Sequence, residues 1–364
     1  MNDRSEKREW ATAITRIERN VIEVSGYPLE EVVGRKGLID VAYLLLNGAF
    51  PDERQVERLQ GIARDAARLP APAVAAPAGE ETSRSIARWL LCDDRLASFP
   101  DERRDEKTAF CIGRVLRYFA SLFGHERVPA LLDGRGPFAL VIHGMLTGRR
   151  PRDAGHAAMV EAMAVASADH GVTPPSTQTA VLAASVRASY ESALAAGIGT
   201  LTRVHGGAGF HAAGLFRQAV TRSEEGGRTL AESLQDLMAP SLRDGKRIEG
   251  LGHRFHDTDP RCGILWALSE RWGIARGCVA CSRIVSDVAC RRCGRPLPVN
   301  VDGAIGAVVA DMNLPAPLAR AVFILGRVAG LSAHYFEEIS SFRVMRWIDF
   351  SMAVYQGPAT RHIP

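Results

Sequence analysis

The sequence predicts a mainly α-helical protein, and two observations carry that prediction. Several long stretches place apolar residues at helical spacing, while alternation with a period of two is thin throughout. With 364 residues, 46% of them hydrophobic and 24% charged, the chain is long enough for a large core plus a second, smaller lobe.

The elements follow in chain order. The stretch from Ile14 to Val24 holds the one candidate for a short ribbon. Gly37 to Gly48 brings Ile39, Val41, Ala42, Leu44, Leu45 and Leu46 around a strongly apolar helix. Leu69 to Gly79, rich in alanine and proline, reads as a flexible connector between helices. Thr179 to Leu201 is predicted as one alanine-rich helix, with Val181, Leu182, Val186, Tyr190 and Leu194 near helical spacing, ending just before His205. Pro240 to Glu249 is polar and predicted as a loop. An apolar helical stretch covers Ala304 to Met312, and Leu318 to His334 and Ser341 to Tyr355 are further helices. No internal repeat of roughly 20–50 residues is present.

Composition excludes several function classes. Net charge is +4, but the basic residues are spread out, and arginine supplies nearly all of them beside Lys7, Lys36, Lys107 and Lys246. Without a basic stripe interleaved with aromatics, no nucleic-acid partner is expected. The first ten residues mix both charge signs and carry no apolar run of the kind that marks a signal peptide. No apolar run approaches the roughly 20 residues needed to span a bilayer, so no membrane partner is expected. Seven cysteines without a secretion signal argue against a disulfide framework and for a reducing cytoplasm.

Three distant segments each set polar groups beside glycines: His205-Gly-Gly-Ala208, Gly250-Leu-Gly-His253 followed by Asp259-Pro-Arg261, and Asn300-Val-Asp302-Gly303. Together they suit proton abstraction next to a carbonyl. A carboxylate takes the proton, imidazoles hold the oxygens that gain charge, and a guanidinium grips an anionic substrate. His205 precedes a helix start, whose dipole is expected to keep the ring neutral. Each segment alone is as well explained by a turn or a helix cap.

In this order and with these flanks, the segments resemble the citrate synthase family. His205-Gly-Gly-Ala resembles its first histidine motif, Gly-Leu-Gly-His253-Arg its second, and Asn300-Val-Asp302 its aspartate segment. Ala168-Asp-His170 with Pro175-Ser-Thr177 is similar to a substrate-binding segment, and Gly326-Arg327-Val-Ala-Gly330 with Ala333-His334 to a late arginine motif. Arg346 falls where the family has an arginine that crosses to the partner subunit's site. Thr12 to Thr15, Gly26-Tyr27 and Ala42 to Gly48 also fit, so the resemblance runs from about Trp10 to Pro358.

The resemblance implies a two-domain helical fold. Residues 1–205 and 315–364 would form a large domain, and 206–314 a smaller mobile one. It implies a homodimer that condenses acetyl-CoA with oxaloacetate through an enol or enolate to citryl-CoA, then hydrolyses it to citrate and CoA. Asp302, His205 and His253 would be catalytic, and His170, Arg261, Arg327 and Arg346 would bind the 2-oxo dicarboxylate. Coenzyme A enters as a thioester substrate, and no cofactor is required for catalysis.

Four features depart from the commonest pattern. His253 to Arg261 spans eight residues, one fewer than expected; Gly209 stands where asparagine is frequent; Glu249 replaces a proline; Trp347-Ile348 stands where many members have Pro-Arg. The shorter loop and the His170-Gly-Val-Thr-Pro stretch look closer to citryl-CoA lyase-like members, which run the carbon–carbon step in reverse. The sequence also leaves room for a 2-methylcitrate synthase using propionyl-CoA and for a non-enzymatic, zinc-stapled regulatory paralogue. Retention of His205, His253 and Asp302 argues against the last.

Cys278-Val-Ala-Cys281 and Cys290-Arg-Arg-Cys293 form a pattern that calls for a structural zinc. On a continuous helix, however, the two pairs would lie about 18 Å apart, at about 1.5 Å per residue. A shared ion therefore requires the helix to break between Cys281 and Cys290. The competing expectation is free thiols, buried or half-exposed.

Overall fold

The computed structural model describes residues 10–74, 77, 79–125, 136–346, 354–357, 359 and 360. The chain opens with an antiparallel sheet of β1 (Thr15–Glu18), β2 (Val21–Val24) and β3 (Tyr27–Pro28), in which Thr15 pairs with Val24 and Val24 with Tyr27. The expected ribbon is present, and among the described residues every regular element after it is helical.

The first run of helices is α1 (Leu29–Val32), α2 (Leu38–Asn47), α3 (Glu53–Arg68), α4 (Thr82–Leu91), α5 (Asp94–Ala97), α6 (Arg104–Leu122), α7 (Phe138–Thr147) and α8 (Ala154–Ala166). Then come α9 (Pro175–Ser185), α10 (Tyr190–Gly199), α11 (Ala208–Gly226), α12 (Leu230–Arg243), α13 (Pro260–Arg271), α14 (Gly277–Cys293), α15 (Val301–Asp311) and α16 (Pro317–Ser341). The mainly α class predicted from apolar spacing is the observed one.

Helix α2 shows how sequence becomes position. Leu38, Ile39, Val41, Ala42, Leu44 and Leu45 are buried. Its first turn is capped by Asp40, which accepts from Gly37 N, and by Glu161 of α8, which accepts from Leu38 N at 3.0 Å. These acceptors satisfy amides that an isolated helix would leave to water.

The 25-residue α16 is the central element, packing against α2, α6, α8, α9 and α10 on one side of the chain and against α11 and α15 on the other. It lies very close to the end of α8: a Cβ on Gly326 would sit 2.0 Å from Ala164 O, and one on Gly330 2.3 Å from Ala168 O. Helices α11, α12, α14 and α15 pack chiefly on one another, with α13 against α15, α8 and α1.

Three expectations are corrected. The helix expected over Thr179–Leu201 is split into α9 and α10. Arg187 takes a left-handed conformation (φ 59°) between them, and its guanidinium donates to Phe342 O at 3.1 Å and Glu338 O at 3.4 Å, at the end of α16. That tertiary anchor outweighs local helix propensity. The loop expected from Pro240 begins later. A Thr229–Glu232 capping box starts α12, buried Leu234 and Met238 hold it, and it runs past Pro240 to Arg243. The helix expected at Ser341–Tyr355 is not formed over Phe342–Arg346, while 347–353 lie outside the described residues, Trp347-Ile348 among them. Instead α16 continues seven residues beyond His334.

Candidate active site

Two backbone seams bring the glycine-flanked segments together. Leu251 pairs antiparallel with Val299, Asn300 N donates to Gly250 O at 3.1 Å, and the Asn300 side-chain amide donates to Gly252 O at 2.9 Å. Gly250 is held at φ 86°, and a Cβ there would lie 2.9 Å from Gly303 Cα, so only glycine permits this approach. The second seam is Asp259. It caps α13, accepts Val301 N at 2.9 Å, and grips Arg261 through two parallel bonds of 2.8 Å. One buried carboxylate thus orients Arg261 and fixes the start of α15, where Asp302 sits.

Asp302 occupies the first turn of α15 and turns its carboxylate to the backbone N–H groups of Gly206 and Gly209, at the start of α11. Gly206 adopts φ 75° to aim its amide there. Burial pushes the Asp302 carboxyl up to about 6, against the pull of Arg261, the Gly209 amide and Arg327. It is therefore a base only modestly stronger than an ordinary carboxylate, and ionised at neutral pH.

His205, in the loop between α10 and α11, bonds Ser176 Oγ through Nε2 at 3.0 Å. Ser176 Oγ also accepts from Arg327 at 3.3 Å. The hydroxyl can then direct its proton to His205 Nε2, leaving the ring proton on Nδ1. The ring is neutral, lowered to about 3, but the expected cause is corrected: burial dominates, followed by Arg327, Arg254 and Arg261. The amides at the start of α11 serve Asp302 instead.

His253 Nδ1 accepts the backbone N–H groups of Phe255 at 3.1 Å and His256 at 2.9 Å. Its neutral ring, lowered to about 4 mainly by burial, consequently carries its proton on Nε2. The ring of His170, only 8% exposed, stands edge-on to His253 at 5.4 Å between centroids. Burial, then Arg261 and Arg327, hold His170 well below the usual histidine range. Arg327, 1% exposed, donates to Ser167 O at 3.0 Å, and burial lowers it to about 10.

Asp302, His205, His253, His170, Arg261 and Arg327 are thus gathered in one region. A cleft of about 240 Å³ reaches Asp302 between Arg203, Lys246, Arg247, Glu249 and Asn300. Glu249, which replaces the expected proline, pairs with Arg203 at its mouth. Arg346 stands apart. It donates to Glu338 at 2.9 Å and lies over the Trp10 and Phe342 rings.

The four-cysteine zinc is corrected. All four thiols lie on α14, which is unbroken from Gly277 to Cys293, so Cys278 and Cys281 cannot converge with Cys290 and Cys293 on one ion. Cys278 and Cys281 are buried, and burial pushes both thiols up, away from the thiolate a metal needs. Sequence reasoning also missed His256. Its signal was a second imidazole three residues after His253, in a loop one residue short. It is buried, with its ring 4.5 Å from that of His253.

The family model described as "Citrate synthase, C-terminal domain" matches residues 8–348. A protein of Mycobacterium bovis named putative citrate synthase 2 is 31% identical over 214 residues, 57% of this chain and 54% of its own length; the match thus spans about half of that relative. Citrate synthase of Haloferax volcanii is 27% identical over 88% of this chain and 86% of its own. In structure, citrate synthase of Thermoplasma acidophilum, solved with carboxymethyl coenzyme A and oxaloacetate, superposes with a TM-score of 0.80 at 20% identity, covering 99% of this chain and 97% of that one. The chain belongs to the citrate synthase family.

Proposed function

We propose that the chain condenses acetyl-CoA with oxaloacetate and hydrolyses the resulting citryl-CoA to citrate and CoA. The observation that carries this reading is the placement of the Asp302 carboxyl, raised to about 6, on the amides of Gly206 and Gly209 beside a neutral His205. Asp302 would remove a proton from the methyl carbon of the thioester. His205 Nδ1–H would hydrogen-bond the thioester oxygen as it gains enolate charge. The enol carbon then attacks the keto carbon of the 2-oxo acid, and His253 Nε2–H polarises that carbonyl and protonates the new alkoxide. Water cleaves the thioester last.

His170, Arg261 and Arg327 would hold the acid's carboxylates, with Arg261 set in place by Asp259. Arg203, Lys246 and Arg247 around the cleft suit the anionic tail of a coenzyme A thioester. Arg346, turned to Glu338 within its own chain, would serve a partner's site in a homodimer. The mutual packing of α11, α12, α14 and α15 supports residues 206–314 as a small domain that closes on the large one and excludes water. Seven free cysteines suit a reducing cytoplasm, and among the described residues no helix is long and apolar enough to cross a membrane.

The test is paired. Purified protein is incubated with acetyl-CoA and oxaloacetate, and separately with citryl-CoA, while free thiol is followed together with the acetyl-CoA and oxaloacetate that cleavage of citryl-CoA would form. CoA release from the first pair is expected. Cleavage of citryl-CoA to acetyl-CoA and oxaloacetate, with no release from the first pair, overturns the synthase direction in favour of the lyase. Faster release with propionyl-CoA than with acetyl-CoA would change the thioester assigned.

A further inference from the structure

We propose that His256 is a second substrate-binding imidazole, so that the oxygens of the anion held beside His253 meet two N–H donors instead of one. The backbone fixes this chemistry. His256 Nδ1 accepts the N–H of Asn20 at 2.9 Å, as His253 Nδ1 accepts those of Phe255 and His256 itself. A neutral imidazole that accepts at Nδ1 must carry its proton on Nε2. Both rings therefore present Nε2–H, and at 4.5 Å between centroids with 31° between planes they lie side by side.

The His256 donor has nothing to give its proton to. The residue is 2% exposed, and its Nε2 lacks a hydrogen-bond partner among the described residues. Nδ1 of His170 is likewise buried and unpartnered, and the His256 ring meets that of His170 edge-on at 5.3 Å. Buried donors left unmade are uncommon in folded proteins and mark a place where a ligand completes the bonding.

One ring nitrogen from each of His170, His253 and His256 lies within 4.8 Å of the other two, a spacing also open to a divalent cation. Two features select an anion. Metal ligation needs a bare lone pair, which the locked tautomers of His253 and His256 withhold. Burial holds all three imidazoles neutral; Arg261 then acts on each ring, against the pull of Asp259 on His253 and His256, and with Arg327 it sets two positive charges against the inward ring of His170. An anion rich in acceptor oxygens fits. Its identity as the keto and carboxylate oxygens of a 2-oxo dicarboxylate rests on the reaction proposed above.

His256 is set in place by the β1–β2 turn. Besides Asn20 N, Asn20 Oδ1 accepts Asp257 N at 2.9 Å and Thr258 N at 3.0 Å, and Arg19 pairs with Asp257. The loop that is one residue short is thus strapped to the N-terminal ribbon, which turns His256 inward.

The test has two arms. Imidazole 15N–1H correlation on 15N-histidine-labelled wild-type protein reads the tautomers near neutral pH, with His256→Gln supplying the assignment. Nε2–H at His256 is expected, shifting when oxaloacetate is added; an Nδ1–H ring overturns the inference without any ligand. Calorimetry then gives oxaloacetate affinity for wild type, His256→Phe and His256→Gln. His256→Phe should weaken oxaloacetate on the order of tenfold or more, as for a lost bond to a charged acceptor, and leave the KM for acetyl-CoA within about twofold. His256→Gln, which keeps an N–H donor, should recover much of the loss. Unchanged affinity in His256→Phe overturns the inference, as does tight stoichiometric Co²⁺ binding that the substitution removes. Failure of wild type to bind or turn over oxaloacetate instead sinks the proposed reaction and leaves the tautomer arm standing.

Discussion

The backbone amide of Gly209 pulls the Asp302 carboxyl down, while its bare Cα passes so close to the same residue that a Cβ would lie 2.9 Å from Asp302 O. On its other side that Cβ would meet Ala319 Cβ at 3.0 Å. The glycine at a position where the family often has asparagine is therefore required by contact between α11, α15 and α16. Gly209→Ala is expected to cost about 1–3 kcal/mol of stability by overpacking, and Gly209→Asn more. Both should lower kcat more than they raise KM for either substrate, because the amide that orients the base moves. Urea melts and steady-state kinetics on the two variants check this.

Asp302 sets the acid limb of the pH profile. Proton abstraction needs the carboxylate, whose pKa is raised to about 6, while His205 and His253, lowered to about 3 and about 4, stay neutral across the range. We expect kcat/KM for the thioester to fall tenfold per pH unit below about 6, and Asp302→Asn to lose about 10²–10⁴-fold in kcat. The sign for stability is opposite. The folded carboxyl binds its proton more tightly than the unfolded one, so stability falls as pH rises from 3.8 to about 6. Asp302→Asn should gain in melting temperature relative to wild type above pH 6 and not below pH 4. No gain above pH 6 would show that the carboxylate is not strained by its burial.

Period and punctuation made the helical class legible. Sheer apolarity marked α2, and a proline-free alanine-rich stretch marked α9 and α10, though not the break at Arg187, because the partners of its guanidinium lie about 150 residues away. Glycine flanks pointed to His205, His253 and Asp302, since close backbone approach leaves a trace in the sequence itself. His256 left no such trace, as its importance comes from Asn20, 236 residues earlier. The cysteine spacing alone called for zinc, whereas the run from Ser282 to Ala289, which carries no turn residue, pointed to a continuous helix and free thiols; that helix is formed, with Val285 and Val288 in the core.

His334 on α16 and Asp169 beside His170 form a buried ion pair, 3.2 Å from Nε2 to Oδ1. Asp169 raises His334 to about 9, and His334, with help from Arg327, lowers Asp169 to about 2. Glu337 also faces His334 Nδ1, at 3.6 Å. The histidine's contribution is fully present below pH 6.5 and is lost as pH rises through about 9. The aspartate's is present above 3.8 and lost as pH falls through about 2. His334→Gln is expected to cost about 3–5 kcal/mol at pH 7, as for one half of a buried pair, and to flatten the decline between pH 6.5 and 9. Denaturant midpoints at five or so pH values would decide it; an unchanged slope in the variant would sink the assignment. Because Asp169 also accepts Gly171 N at 2.9 Å, the variant should loosen the His170 loop and raise the KM for the 2-oxo acid.

Arg327 owes its place to a missing side chain next to it. Gly326 lets α16 descend until Arg327 Nε reaches Ser167 O at 3.0 Å and Nη1 reaches Ser176 Oγ. A Cβ at 326 would sit 2.0 Å from Ala164 O, against backbone that has no free rotamer to yield. Gly326→Ala should therefore lift α16 off α8, cost about 1–3 kcal/mol or more, and raise the KM for the 2-oxo acid well beyond that for the thioester. Gly214→Ala is the matched control. It lies within α11, and a Cβ there would meet nothing inside 4 Å, so alanine should stabilise by roughly 0.5–1 kcal/mol and leave both KM values alone. Equal effects on the two substrates in Gly326→Ala would mean that the helix contact supports the core without aiming Arg327.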